Sequence, residues 1–240
     1  MNILRFNALR TTLLAIATFT AASAAQAQSA TFDFANLAAT VPTNYLGNAC
    51  TANDRCSTRG GSLNFQQNGV SVSAFGYFNG VLANGMVVQD QESGFSAQNK
   101  IGAGLGVYSQ FGSNNAPSNS SDDNITANES LKLSFANSVF FSTLGMRSEG
   151  HNVTGWSANS MFEYRVDGGA WTAGALPANS GNFALNATGK DFEFRYKASG
   201  GDQFYISGAT ATVVPEPSTY LLMASGLAGL MVMARRRRSA

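Results

Sequence analysis

The sequence predicts an all-β protein, an antiparallel β-sandwich of the jelly-roll type, flanked by two terminal targeting segments. Several internal segments alternate apolar and polar residues, which is typical of strands with one buried and one solvated face. Asn-Gly and Asp-Gly-Gly turns separate these segments, and no internal segment has the period of a helix. Many short strands without helices favour a sandwich.

The N-terminal residues 1–27 are predicted to form a secretory signal peptide. Arg5 and Arg10 precede an apolar run over residues 11–22, and Ala25 and Ala27 supply small residues at the two positions that a signal peptidase reads. An ordinary N-terminal helix is less favoured, because a cleavage site rather than a cap follows a run that is too short to span a membrane. We expect cleavage after Ala27 and export of the remaining chain.

Residues 28–213 are predicted to form one β-sandwich domain, since no linker, repeat or charge block divides them. Asp167-Gly168-Gly169 provides the positive φ angles of a tight hairpin. The predicted strands lie in SLNFQ (62–66), VSVSAFGYF (70–78), MVVQ (86–89), SLKLSFA (130–136), MFEYRVDGGAWT (161–172), KDFEFRYKA (190–198) and QFYISGATATV (203–213).

The charge of this domain excludes some classes of partner. Between Gln28 and Val214 there are nine basic and 13 acidic side chains, a net charge of −4. Nucleic acids and anionic membrane surfaces require clustered Lys and Arg, so neither is an expected partner of the domain.

Cys50 and Cys56 are the only cysteines, in the segment CTANDRC. Export places them in an oxidising compartment, where a disulfide between them is expected. A metal site would need further soft ligands, and the single histidine, His151, is distant in sequence. A redox pair would normally have the closer Cys-x-x-Cys spacing.

The longest polar segment, FGSNNAPSNSSDDNITANES, runs from Phe111 to Ser130 and is predicted to be a surface loop. Its oxygen-bearing side chains are of the kind that bind Ca²⁺, although their spacing does not match an EF-hand. The candidate calcium ligands are Asp122, Asp123, Asn124 and Glu129. The alternative is a solvated acidic loop without a metal, and no other cofactor is expected.

Trp156 and Trp171 are candidate carbohydrate contacts, because large amphipathic rings stack on sugars in polar recognition sites. The alternative is that at least one of the two belongs to the core. His151 follows Arg-Ser-Glu-Gly and is interpreted as a solvated loop residue rather than a catalytic base.

We expect no catalytic residues, because the chain lacks a Gly-x-Ser-x-Gly elbow, and GAGLGV at residues 102–107 does not fit a phosphate loop. The alternative is an extracellular hydrolase acting on polysaccharide, which would need two carboxylates facing one cleft. Its candidate residues are Glu149, Glu163, Asp167, Asp191 and Glu193. Because several of them fall on an open sheet face, no pocket that joins two of them is expected.

Residues 214–240 are predicted to form a C-terminal targeting segment. An uncharged run over residues 220–234 follows Pro215-Glu216-Pro217 and precedes Arg235, Arg236, Arg237 and Arg238. As a helix the run would be roughly 22 Å long at ~1.5 Å per residue, against ~30 Å of hydrocarbon, so it is a marginal transmembrane helix. The arginines place its C-terminal end in the cytoplasm. A buried helix of the domain is less favoured, since the run has no polar face.

The order of tripeptide, apolar run and arginine cluster closely resembles the PEP-CTERM sorting signal of Gram-negative bacteria. The resemblance implies that Pro215, Glu216 and Pro217 are read by an exosortase, a membrane transpeptidase, and that the protein accompanies exopolysaccharide or biofilm production. The chain is then an inner-membrane precursor that later reaches the cell surface or extracellular matrix. We therefore expect an exported, non-enzymatic β-sandwich associated with carbohydrate or biofilm matrix.

Overall fold

The computed structural model describes residues 27–35, 50–51, 55–90, 102–110 and 123–214, together with residues 225, 226 and 229. The chain divides into two compact units, Gln28–Val214 and a second unit of Met1–Ala27 with Pro215–Ala240. No helix among the described residues is long and apolar enough to cross a membrane. Residues 1–26 of the predicted signal peptide, and most of the predicted apolar run 220–234, lie outside the described residues.

The described residues of Gln28–Val214 form antiparallel strands, with one turn of 3₁₀ helix at Leu82–Asn84. The strands are β1 (Ser29–Asp33), β2 (Cys50–Thr51), β3 (Arg55–Arg59), β4 (Leu63–Gln67), β5 (Val70–Phe78), β6 (Met86–Asp90), β7 (Gly104–Tyr108), β8 (Glu129–Ser148), β9 (Met161–Val166), β10 (Thr172–Ala175), β11 (Asn182–Tyr196) and β12 (Phe204–Val213).

The long strand β8 organises the sheet. Its first half pairs with β5 and its second half with β12, while β11 pairs with both halves along the other edge. Register shifts in the β11–β8 ladder, between Ala184 and Ala187 and between Gly189 and Asp191, are the irregularities that bend long strands. The hydrogen-bonded order is β10-β9-β11-β8-β12-β7-β6-β3-β2, with β5 and β4 attached through β8 and β1 through β12.

The core lies on the inward face of these strands. In β8, Leu131, Leu133 and Phe135 are buried, whereas the intervening Lys132 and Ser134 are half-buried on the opposite face. The Phe141 ring contacts Phe135, Phe192 and Phe194 edge-on, with centroid distances of 5.8, 4.9 and 6.2 Å. This packing joins the two halves of β8 through one aromatic cluster.

The prediction of an all-β, antiparallel protein is confirmed, and the seven predicted segments lie in β4, β5, β6, β8, β9, β11 and β12. Asp167 and Gly168 have φ angles of 49° and 71°, as the predicted hairpin between β9 and β10 requires. The sequence did not predict β1, β2, β3, β7, the extension of β8 beyond residue 136 or residues 182–189 of β11. In β7 the reason is its glycines, which have low intrinsic preference for strands.

Candidate functional site

The outward side chains of β5, β8, β11 and β9 form a surface that we call the polar face. Alternate residues of these strands pack against the core, although in β9 Tyr164 and Val166 do so while half-buried, and the remaining residues lie together on the opposite side. The polar face consists of Phe75, Tyr77, Lys132, Glu163, Arg165, Asp191, Glu193 and Arg195, with Trp171 beside the edge strand β10.

Two ion pairs cross the polar face between β9 and β11. The Arg165 guanidinium contacts the Glu193 carboxylate, with Nη2 to Oε2 at 2.5 Å and Nε to Oε2 at 2.8 Å. Arg195 binds Glu163 in the same way, with both its Nε and its Nη2 at 2.7 Å from Oε2. The antiparallel register explains both pairs, because it sets Glu193 opposite Arg165 and Arg195 opposite Glu163. Partly exposed pairs add little stability, so their main effect is to fix side-chain orientation.

The charged groups of the polar face also contact its aromatic rings. The guanidinium carbons of Arg165 and Arg195 lie 4.5 and 3.9 Å from the centroid of the Trp171 ring. On the other side, the Lys132 ammonium lies 5.1 Å from the Phe75 ring and 5.7 Å from the Tyr77 ring. These are cation–π distances, and they hold the rings in defined positions.

A shallow pocket of about 210 Å³ opens on the polar face. Asp191 and Glu193 both contribute to it, since residues two apart on a strand point to the same side. The expectation that no two of the named carboxylates would line one pocket is therefore wrong. The Glu193 carboxylate also accepts a hydrogen bond from Ser130 at 2.7 Å, and Asp191 accepts one from Ser134 at 2.5 Å. The pocket is lined by Tyr77, Gly80, Lys132, Arg165, Gly168, Asp191 and Glu193.

The two tryptophans have different surroundings. Trp171 is half-buried on the polar face between the two arginines. Trp156 packs against the core, and its indole Nε1 donates to the Gln203 carbonyl at 3.1 Å. The position of Trp156 fits the alternative that one tryptophan belongs to the core, whereas Trp171 remains available as a sugar contact.

The calcium candidates that the structure describes are buried, which corrects the expectation of a solvated loop through Ser130. Asp123 accepts a hydrogen bond from the Tyr205 hydroxyl. Asn124 Nδ2 donates to Gln203 Oε1 at 2.8 Å, and Glu129 Oε2 accepts from the Thr126 backbone N–H at 2.9 Å. These hydrogen bonds offset part of the cost of burying the three side chains, while Asn124 Oδ1 is buried without a hydrogen-bond partner among the described residues.

Calcium binding stays a prediction. Asp122 lies outside the described residues, as do residues 111–121. Within the described ranges, no group of three or more His, Cys, Asp or Glu side chains is arranged to hold a metal ion.

A polar cluster around Tyr205 was not predicted. The His151 ring packs edge-on against Tyr205 with a centroid distance of 5.3 Å, and the His151 carbonyl accepts a hydrogen bond from Arg147 Nη1 at 3.0 Å. Burial lowers the pKa of Arg147, and the nearby negative charge of Asp33 partly opposes this effect. His151 has a φ of 59°, a left-handed conformation in which His is enriched among non-glycine residues.

The backbone register sets Cys50 directly opposite Cys56 in the β2–β3 ladder. Directly opposite residues of antiparallel strands have Cα atoms about 4.5 to 5.5 Å apart, within the range that disulfides span. We therefore expect alkylation of the exported protein without reductant to modify no thiol, and alkylation after reduction to modify both. Two free thiols before reduction would contradict the disulfide. Its stabilisation should stay below the ~3 kcal/mol expected for a 15-residue loop, because this loop is shorter.

The body of the protein is thus an all-β domain, and its last strand leads directly into the C-terminal segment. Residues 213–238 match the family model of the PEP-CTERM protein-sorting motif. The chain carries a PEP-CTERM sorting signal, which implies an exported protein processed by an exosortase. No curated protein matches the chain. The motif residues Pro215, Glu216 and Pro217 and the arginines 235–238 lie outside the described residues.

Proposed function

We propose that the exported domain is a non-catalytic β-sandwich that binds carbohydrate of the cell surface or biofilm matrix. The sandwich is inferred from the long strand β8, which pairs with β5 in its first half and with β12 in its second half. The register shift between Gly189 and Asp191 in the β11–β8 ladder lies between these halves, and the residues of both halves contribute to one core. In this proposal the exosortase delivers the domain to the surface or matrix of a Gram-negative bacterium. The C-terminal helix holds the precursor in the inner membrane before processing.

The observation that supports carbohydrate binding is the combination of Trp171 with fixed polar groups on one open face. Sugar rings present apolar C–H faces and many hydroxyl groups, so they fit an aromatic ring flanked by directed donors and acceptors. Arg165 and Arg195 contact the ring and also bind carboxylates, which leaves both guanidinium and carboxylate groups in defined orientations. The polar face needs no cofactor for this role.

The second candidate is an extracellular hydrolase, favoured by the presence of Asp191 and Glu193 in one pocket. Paired carboxylates hydrolyse glycosides when one donates a proton to the leaving group and the other acts as base or nucleophile. Against this role, Glu193 is engaged by Arg165 and Ser130, and Asp191 by Ser134. Release of reducing sugar from the polysaccharide by the wild-type protein, but not by a Glu193→Gln variant, would favour the hydrolase.

Carbohydrate binding predicts a specific effect of one substitution. Replacing Trp171 with alanine should weaken binding of the mature protein to the host's own exopolysaccharide by about tenfold, because truncating an aromatic residue that dominates a binding site costs more than about 1 kcal/mol. Affinity electrophoresis of the wild-type and variant proteins measures this change.

The matched control is Trp156→Phe, which keeps an aromatic ring against the core but removes the indole N–H that binds Gln203. This variant should bind the polysaccharide as the wild-type protein does. Equal affinities of Trp171→Ala and wild type, or a comparable loss in Trp156→Phe, would count against the polar face as the binding site.

A further inference from the structure

The sorting motif begins inside the folded domain. The match starts at Val213, which is the last residue of β12. The Val213 N–H donates to the Gln28 carbonyl at 2.7 Å, and the Val214 N–H donates to the Ser138 carbonyl at 2.9 Å. The chain is therefore hydrogen-bonded to neighbours on both sides up to the residue before Pro215.

The chain enters and leaves the domain at the same end. The strand β1 runs antiparallel to β12, and the register sets Ser29 opposite Thr212. Gln28 follows the predicted signal-peptidase site, and Val214 precedes the sorting tripeptide. One end of the β1–β12 pair thus carries both predicted processing sites.

The short distance between Val214 and the tripeptide limits how an enzyme can reach it. A fully extended chain spans at most about 3.6 Å per residue, so Pro217 lies within roughly 11 Å of Val214. Even a folded enzyme of 100 residues has a radius of gyration of about 13 Å, which exceeds the longest possible distance between Val214 and Pro217. An enzyme that holds the tripeptide in its active site therefore contacts the end of the β-domain.

The surface at this end exposes two hydrophobic side chains among polar ones. Phe140 and Val214 are 40% and 36% exposed, although both are large hydrophobic residues. They are neighbours, because Phe140 lies opposite Thr212 and Val214 is bonded to Ser138. We define the exit surface as Gln28, Ser138, Phe140, Thr212 and Val214. The exposed Lys190 borders it, since Lys190 lies two residues after Thr188, which is opposite Phe140 in the β11–β8 ladder.

We propose that the exit surface is a docking surface for the exosortase that reads the sorting signal. Residues that dominate the binding energy of an interface are often aromatic, and Phe140 is an exposed aromatic residue of the exit surface. An anionic membrane surface fits less well as the occupant, because the exit surface contains no Lys or Arg. With docking, the exosortase would bind the folded domain as well as the tripeptide, and its affinity for the precursor would increase.

The test uses the full chain in cells that contain the exosortase, with pulse–chase conversion of precursor to mature protein as the measurement. Phe140→Ser should slow exosortase processing by about tenfold, the size of effect expected for a dominant interface residue. Signal-peptide removal, followed in the same samples, should keep its normal rate. Unchanged exosortase processing of Phe140→Ser would overturn the proposal.

Val153→Ser is the matched control, since Val153 is 43% exposed but lies beyond the opposite end of the β8–β12 ladder, where Ser148 is opposite Phe204. It should be processed at the wild-type rate, and an equal delay in both variants would overturn the proposal.

A second variant does not depend on the folding of Phe140→Ser. A six-residue Gly-Ser spacer between Val214 and Pro215 lets the enzyme reach the tripeptide without touching the domain. Docking predicts that the spacer slows processing and that Phe140→Ser then causes no further delay. Faster processing with the spacer would mean that the domain obstructs the enzyme, which would overturn the proposal.

Discussion

Replacing Gly106 with alanine is expected to lower the free energy of unfolding by about 3 kcal/mol, at the upper end of the usual cost of overpacking. A Cβ atom at Gly106 would fall on the backbone carbonyl oxygen of Asp123, because the backbone of Asp123 and Asn124 lies directly against β7 at this point. The neighbouring segment cannot withdraw easily. Asn124 is bonded to Gln203, and the Ile125 N–H donates to the Phe204 carbonyl at 2.8 Å.

Denaturant unfolding of the mature protein measures this loss, which in a domain of this size corresponds to a fall in Tm of roughly 6 to 12 °C. Gly150→Ala serves as the control. A Cβ atom at Gly150 would meet only the Asn152 side-chain nitrogen at 3.3 Å, and that side chain is exposed and can move. A Gly106→Ala variant as stable as Gly150→Ala would contradict the close approach of Asp123 to β7.

The sequence predicts strands wherever alternation is regular, as in KDFEFRYKA, because one buried face imposes a period of two. It fails at β7, whose Gly104 and Gly106 carry no side chain that could show the period. Their role depends on backbone approaches from Ile206 and Asp123, which are distant along the chain. Such contacts leave no local signal in a single sequence.

The polar face is partly predictable for the same reason. Alternation assigns Glu163, Arg165, Glu193 and Arg195 to outward positions, and Trp171 was predicted as a sugar contact. The pairing of each arginine with a carboxylate of the next strand depends on the β9–β11 register, which the sequence does not specify. Alternation also sets Asp191 and Glu193 on one side of β11, but the pocket that they line needs residues of β5, β8 and β9, whose register the sequence does not specify.

The acidic segment shows a different limit of sequence reasoning. Asp123, Asn124 and Glu129 have the composition of a solvated loop, and composition alone predicts exposure. The structure buries them because Tyr205, Gln203 and the Thr126 backbone N–H provide hydrogen-bond partners. Two of these three partners are remote in sequence, so their presence could not be inferred from the segment itself.

Replacing Pro215, Glu216 and Pro217 with alanine is expected to leave nearly all of the exported protein as an uncut precursor held in the membrane. The two prolines predict an extended conformation at Glu216, because proline cannot continue a helix and restricts the preceding residue. Alanine favours helix and would let the predicted helix over residues 220–234 extend through the tripeptide. The enzyme would then meet a helix where it requires an extended chain.

The measurement is the size and location of the protein in cells with and without the exosortase. The alanine variant should match the wild-type precursor from cells that lack the enzyme.

Replacing Arg235, Arg236, Arg237 and Arg238 with serine is the complementary variant. It should weaken retention in the membrane, because the positive charges that are predicted to keep the C-terminal end in the cytoplasm are lost. Since the run 220–234 is short for a permanent anchor, its removal is the expected fate of the mature protein. A mature protein that still contains residues 220–234 when the exosortase is present would instead be an ordinary single-span membrane protein, and the segment would be an anchor.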